Sequence, residues 1–191
     1  MTTEQGRFRR SLTVDMFVSL DGFAGGGEDW RFQYEPGVEL QRYLLQVLEE
    51  PQVIVMGRRT YDDMASYWPR SSEPLAAAMN SLPKIVFSNT LTEPLAWHNS
   101  RLMKGDAVVN VRDLKAAEGD PLRCIGSISV ATALFESGLV DQVRLVVFPI
   151  VLGATGTRPI FSRDSSPARL ARVTATSLDS RVVVLDYRSG N

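Results

Sequence analysis

The chain has 191 residues, of which 44% are hydrophobic and 23% charged, with a formal net charge of -1; this suits one globular domain with a sizeable core. The near-neutral balance carries no electrostatic footprint for a nucleic acid or an anionic membrane, and no apolar run reaches transmembrane length. A single cysteine, Cys124, and a single histidine, His98, exclude an intrachain disulfide and His/Cys zinc clusters, so no metal is expected, and they leave little room for a Ser-His-Asp triad.

Arg7, Arg9 and Arg10 read as a solvated cluster, and residues 1–10 as a flexible arm before one domain spanning 11–191. The first apolar stretch contains Asp15 and reads as a strand rather than a signal peptide. With the lone thiol, this predicts a cytoplasmic protein. In that stretch Leu12, Val14, Met16, Val18 and Leu20 alternate with Thr13, Asp15, Phe17 and Ser19, the period of a strand. Asp21-Gly22 ends it, and Gly25-Gly26-Gly27 reads as a flexible turn. Leu40, Tyr43, Leu44, Val47 and Leu48 follow helical spacing, with Pro51 just beyond. Val53 to Met56 is a short buried strand that passes through Gly57 into a helix start at Arg58 to Tyr61. Arg70 to Pro83 reads as a mobile loop before a strand at Lys84 to Phe87, and His98 falls in a polar surface stretch. Asn110 is placed to cap a brief helix holding Val111 and Leu114. Leu122 to Ile125 is a strand, Gly126 opens a turn, and Val130, Ala133 and Leu134 form a helical face that stops at Gly138. Three strands close the chain: Val143 to Leu152, interrupted by Pro149, then Leu170 to Ala175 and Val182 to Tyr187; Thr155 to Pro167 reads as a second mobile loop. Strands that alternate with helices as far as Gly138, followed by three consecutive strands, imply a mostly parallel sheet with an antiparallel C-terminal edge and helices on both faces.

The P-loop and the Rossmann G-x-G-x-x-G are absent. Two strand-to-helix junctions remain, Met56-Gly57-Arg58-Arg59-Thr60-Tyr61 and Ile125-Gly126-Ser127-Ile128-Ser129-Val130. At each, glycine lets the backbone turn tightly, and the following helix presents unpaired N–H groups and a positive dipole end. Two such junctions at the carboxyl ends of parallel strands can grip one pyrophosphate, with Arg58 and Arg59 as nearby cations; the same pattern is also ordinary α/β architecture.

Gly57-Arg58-Arg59-Thr60-Tyr61 resembles the glycine-arginine-x-threonine-aromatic motif of dihydrofolate reductases. Ser19-Leu20-Asp21-Gly22 resembles a loop of the reductase domain of riboflavin biosynthesis. Leu139-Val140-Asp141, Pro149 to Gly153 and Arg158-Pro159-Ile160-Phe161 are similar to later motifs of that domain, and Ile85-Val86-Phe87-Ser88 to the strand that brings a serine to the adenine side of the cofactor. The ordered set runs from about residue 11 to the C-terminus, and the chain is similar to stand-alone members of this dihydrofolate-reductase-like superfamily.

The resemblance implies NADPH as cofactor and a small-molecule substrate. It implies that Arg58 meets the 2'-phosphate, helped by Ser88 or Asn89. Arg59 and Thr60 would meet the pyrophosphate, and Gly126, Ser127, Ile128, Ser129 and Val130 would wrap pyrophosphate and ribose. The Phe17 backbone, Leu20 and Ala24 would lie against the nicotinamide. The family has consecutive glycines at the second junction, with a cis peptide between them, where this chain has Gly126-Ser127; Ser127 can instead give its hydroxyl to phosphate. An ungapped alignment places Gln41 where folate reductases carry an acid facing the pterin, and Glu39 projects from another side of the helix. Folate reduction is therefore not expected. Asp21 is the titratable candidate at the nicotinamide end, and Asp before Gly is also a turn former. Trp30, Tyr34, Trp68 and Tyr61 can line a flat pocket for an aromatic ring or serve as packing. Trp30 and Gln41 are the substrate-side candidates.

The leading expectation is an NADPH-dependent reductase, with a riboflavin-pathway pyrimidine as one substrate. The alternative is a non-catalytic nucleotide-binding or dimer scaffold that kept the fold. A homodimer built through the antiparallel edge or the late strands is expected, because Val143 to Leu152 and Val182 to Leu185 are more apolar than a half-exposed edge.

Overall fold

The computed structural model describes residues 9–26, 37–161, 169–179 and 181–189. The strands are β1 (Leu12–Ser19), β2 (Phe23–Gly26), β3 (Val53–Gly57), β4 (Lys84–Phe87), β5 (Ser100–Met103), β6 (Leu122–Cys124), β7 (Gln142–Phe148), β8 (Gly156–Pro159), β9 (Leu170–Leu178) and β10 (Val182–Ser189). The helices are α1 (Val38–Glu49), α2 (Arg58–Tyr67), α3 (Pro74–Ser81), α4 (Ala107–Ala116) and α5 (Ile128–Glu136). Eight strands form one sheet in the order β5-β4-β3-β6-β1-β7-β10-β9, and β2 pairs with β8. The neighbours from β5 to β7 are parallel, while β10 runs antiparallel to both β7 and β9. The fold is thus the mostly parallel mixed sheet with an antiparallel C-terminal edge that the element order implies, and it agrees with the resemblance to dihydrofolate-reductase-like proteins.

The alternation in β1 divides the core. Leu12, Val14, Met16 and Val18 pack with Val111 of α4 and Ala131 and Leu134 of α5 on one face. On the other face, Leu40 of α1 packs against Val146, Phe148, Val182 and Val184, and Leu48 joins Ile54, Met56, Leu75 and Met79. Among the described residues no helix is long and apolar enough to cross a membrane.

Several boundaries differ from the sequence reading. Residues 70–83 hold α3, with Pro74 in its first turn and Leu75, Ala76 and Met79 buried, so packing organises a segment read as a loop. Asp106, not Asn110, caps α4, accepting hydrogen bonds from the Val108 and Val109 N–H groups. The Asn110 side chain donates to the Lys104 carbonyl instead. Strand β7 stops at Phe148, because Pro149 cannot continue the ladder. Gly25 and Gly26 belong to β2, and residues 156–159 of the second expected loop form β8. Arg10 is buried rather than solvated, with Nε donating to the Asp120 carbonyl, while Arg9 is exposed and pairs with Glu118. Arg7, Gly27, Trp30, Tyr34 and residues 162–168 lie outside the described residues.

The buried side of β1 also carries charge. Asp15 accepts from Arg123 of β6 at 2.5 Å and lies 3.7 Å from Arg144 of β7, which reaches Asp186 of β10 at 2.9 Å. Four adjacent strands are therefore tied by one row of alternating charges. Helix α1 is held by a distant cap: Asp179, at φ +51 in the β9–β10 turn, accepts from the Glu39 and Leu40 N–H groups. The Glu39 carboxylate in turn accepts from the Asp179 N–H.

Candidate functional site

Strands β3 and β6 are parallel neighbours, so their two glycine junctions leave the sheet side by side. The Gly57 N–H donates to the Gly126 carbonyl at 3.1 Å. Neither α2, with Gly57 at its N-cap, nor α5, with Ser127 at its N-cap, has a side-chain cap hydrogen bond. The first-turn N–H groups of both helices thus lack a side-chain cap.

The glycines set how closely the junctions approach. A Cβ on Gly57 would stand 2.5 Å from Ser127 Oγ, and one on Gly126 would stand 2.6 Å from Thr60 Oγ1. Gly126 also has φ +134, which a side chain would strain. The Gly126–Ser127 peptide is cis, in agreement with the family pattern despite the serine. The Ser127 and Ser129 hydroxyls lie 3.1 Å apart. Arg58 and Arg59 are exposed, and Arg58 donates to Asp62 at 3.0 Å. Beside the junctions, β6 pairs with β1 only from Leu12 to Val14, whereas β7 pairs with it from Thr13 to Ser19. The β6 side of β1 therefore lacks a strand partner beyond Val14, and this stretch includes Phe17.

Other candidates are engaged in local structure. Ser88 is buried, and its hydroxyl accepts from the Thr90 and Leu91 N–H groups. Asn89 accepts from the Gly105 N–H at 2.7 Å. Phe17 packs against Phe148 with ring centroids 5.4 Å apart, Ala24 is buried, and Leu20 is exposed beside Ile150, whose carbonyl accepts its N–H. The Asp21 carboxylate accepts from Ser19 Oγ at 2.7 Å and from the Leu152 and Gly153 N–H groups at 3.1 and 2.8 Å. These bonds, the Ser19 hydroxyl foremost, hold its pKa below the usual carboxylate value. An ionised Asp21 ties the end of β1 to the segment before β8 and is a poor proton donor at neutral pH. Gln41 is half-buried on α1. Tyr61 is core: it packs against Trp97, and its hydroxyl accepts the Trp97 N–H. Trp68 packs with that same cluster. The Cys124 thiol is fully buried and pushed up to about 12, so it is not a nucleophile.

The sequence reading named neither Ser19 as the partner of Asp21 nor the Arg123–Asp15–Arg144–Asp186 row. The row left little signal in the sequence, because Asp15 falls on the mixed side of the alternation with Thr13, Phe17 and Ser19, where a charged residue is ordinary.

The profile of the RibD C-terminal domain family matches residues 10–184. Protein YyaP of Bacillus subtilis (strain 168), itself uncharacterised, is 30% identical over 188 residues, covering 94% of this chain and 95% of its own. A solved protein from Shewanella sp. PV-4, assigned to riboflavin biosynthesis, is 25% identical with a TM-score of 0.76, over 95% of this chain and 99% of that one. Dihydrofolate reductase from Enterococcus faecalis, solved in complex with NADP(H) and RAB-propyl, is 15% identical with a TM-score of 0.63, over 96% of this chain and 99% of that one; this likeness is one of fold.

Proposed function

This chain belongs to the RibD C-terminal domain family, and from that premise we propose that it is a cytoplasmic reductase that uses NADPH to reduce a small heterocycle of the pyrimidine type. The observation that carries the reading is the contact between the two junctions, Gly57 against Ser127 and Gly126 against Thr60. It leaves two helix N-termini without side-chain caps side by side, an arrangement that suits a pyrophosphate.

In this reading Arg59, Thr60 and residues 126–130 hold the pyrophosphate and its ribose. Ser88 and Asn89 border the adenosine end, and the Phe17 backbone, Leu20 and Ala24 border the nicotinamide. Bound NADPH would supply the hydride. Asp21 positions the loop at that end instead of giving a proton. Gln41 stands on the substrate side, and its neutral amide does not favour a pterin. Fluorescence titration with NADPH followed by a turnover screen over reducible pyrimidines tests the proposal. The engagement of Asp21 favours the competing reading, a scaffold without turnover. Binding with no substrate oxidising the cofactor would support the scaffold, and absence of NADPH binding would reject both.

Arg58 is assigned to the 2'-phosphate. Its guanidinium must leave Asp62, so part of the gain is offset. Arg58→Ala is expected to weaken NADPH about tenfold while leaving NADH nearly unchanged. Equal losses for both cofactors, measured alongside melting temperature, would reject the assignment.

The original reason for a homodimer does not hold. Strands β7 and β10 are interior, and α1 covers Val146, Val182 and Val184. The proposed contact is the antiparallel edge itself, β9, where Thr174 to Ser177 are exposed. Light scattering should report twice the monomer mass, and a monomer at micromolar concentration would refute the dimer.

A further inference from the structure

Helix N-termini at the carboxyl edge of the sheet are treated in two ways. Strands β1, β3, β6 and β7 are parallel, and β10 runs antiparallel to β7 with Val183 opposite Val147. The β9–β10 turn, which holds Asp179, therefore lies at the same edge as Asp21 and the two glycine junctions. At the junctions, α2 and α5 carry no side-chain cap. On the substrate side, where the reductase reading sets Gln41, the first turn of α1 is already filled by an acid of the chain. We infer that the substrate is an uncharged, unphosphorylated pyrimidine, and that Asp179 is the specificity-determining residue that excludes its phosphate ester; this rests on the reductase reading.

The occupancy of α1 carries the inference. The Asp179 carboxylate accepts from the Glu39 N–H at 3.1 Å and the Leu40 N–H at 2.9 Å, the groups that a phosphate would need there. Glu39 folds back to accept the Asp179 N–H, which sets a second carboxylate beside the first. A Cβ on Gly37 would collide with the Asp179 carboxylate, so glycine at that position lets the acid seat against the helix. Asp21 likewise engages the Leu152 and Gly153 N–H groups beyond the end of β7.

A phosphate ester on this side would thus meet spent donors and two carboxylates. It carries about two negative charges near neutral pH. Like charges this close repel, and more strongly where water is excluded. The guanidinium groups nearest in sequence, Arg42 and Arg181, are exposed, and solvent and salt weaken their offset. Leu20, Val38 and Val151 are exposed at the same edge and offer apolar surface, which suits an uncharged ring.

The test titrates uridine and uridine 5'-phosphate into the full chain saturated with NADP+, by calorimetry, for the wild type and for Asp179→Asn. Asp179 has φ +51, which asparagine tolerates, and the amide oxygen can still accept from α1, so the variant removes charge rather than the turn. The wild type is expected to bind uridine about tenfold or more tighter than its phosphate. Asp179→Asn should strengthen the phosphate roughly three- to tenfold and leave uridine within about twofold. Equal weakening of both ligands would show a structural role alone and overturn the inference. So would the phosphate binding as tightly as uridine in the wild type, a ratio unmoved by Asp179→Asn, or no binding of either pyrimidine. Failure of NADP+ to bind would reject the reductase reading and this inference with it, whereas each outcome above, read with NADP+ bound, concerns this inference alone.

Discussion

Asp15→Ala is expected to cost about 3–5 kcal/mol of folding stability, the range for removing one member of a buried ion pair. Asp15 is 3% exposed and is the acceptor for Arg123, itself 9% exposed. Without the carboxylate, Arg123 keeps only its long contact to Gln52, and Arg144 loses one of its two acids. The cost arises from leaving a guanidinium charged and desolvated rather than from the worth of the pair. Domains of this kind hold only about 5–15 kcal/mol in total, so the variant should melt far below the parent. Because the penalty belongs to the orphaned charge, Asp15→Ala with Arg123→Met should recover much of it. Urea denaturation of the two single variants and the double variant measures this. A loss within the range of ordinary surface substitutions, or no recovery in the double variant, would show that the row is not held as described.

Gly57→Ala is expected to weaken NADPH roughly ten- to hundredfold, through a steric cost of about 1–3 kcal/mol at the contact between the junctions. Gly57 has φ -83, which alanine adopts freely, so backbone strain plays no part. The new methyl would stand 2.5 Å from Ser127 Oγ and 3.1 Å from Val130 Cγ2, and one loop must move. Moving it separates the two helix N-termini that are assigned to one pyrophosphate. The clash is chiefly with the serine hydroxyl, so Gly57→Ala with Ser127→Gly should regain most of the lost affinity. That pair also restores the consecutive glycines of the family pattern. Unchanged NADPH affinity in Gly57→Ala would place the cofactor elsewhere, and failure of Ser127→Gly to rescue would assign the loss to something other than this contact.

Most of the fold was legible in one dimension because its signals are local. Alternation in β1, helical spacing in α1 and glycines at strand ends each depend on residues a few positions apart. The segment at 70–83 was not, because α3 is stabilised by burying Leu75 and Met79 in a cluster with Leu48, Ile54, Met56, Val86 and Trp97, contacts that form only when the chain folds. Asp106 and Asn110 both suit a cap, and the difference between them lies in where the chain leaves β5.

The sequence by itself determined the mixed sheet, the two glycine junctions and the candidate residues on them, since backbone freedom at Gly57 and Gly126 is a property of the residues. Tertiary structure alone decided that the junctions touch, because that follows from β3 and β6 being neighbours across a long stretch of chain. It also decided what the polar candidates are bonded to. Asp21 meets Leu152 and Gly153, 131 and 132 residues away, and Asp15 meets Arg123, 108 residues away. Whether a carboxylate stands free or is already engaged depends on partners that only chain closure brings within hydrogen-bond reach.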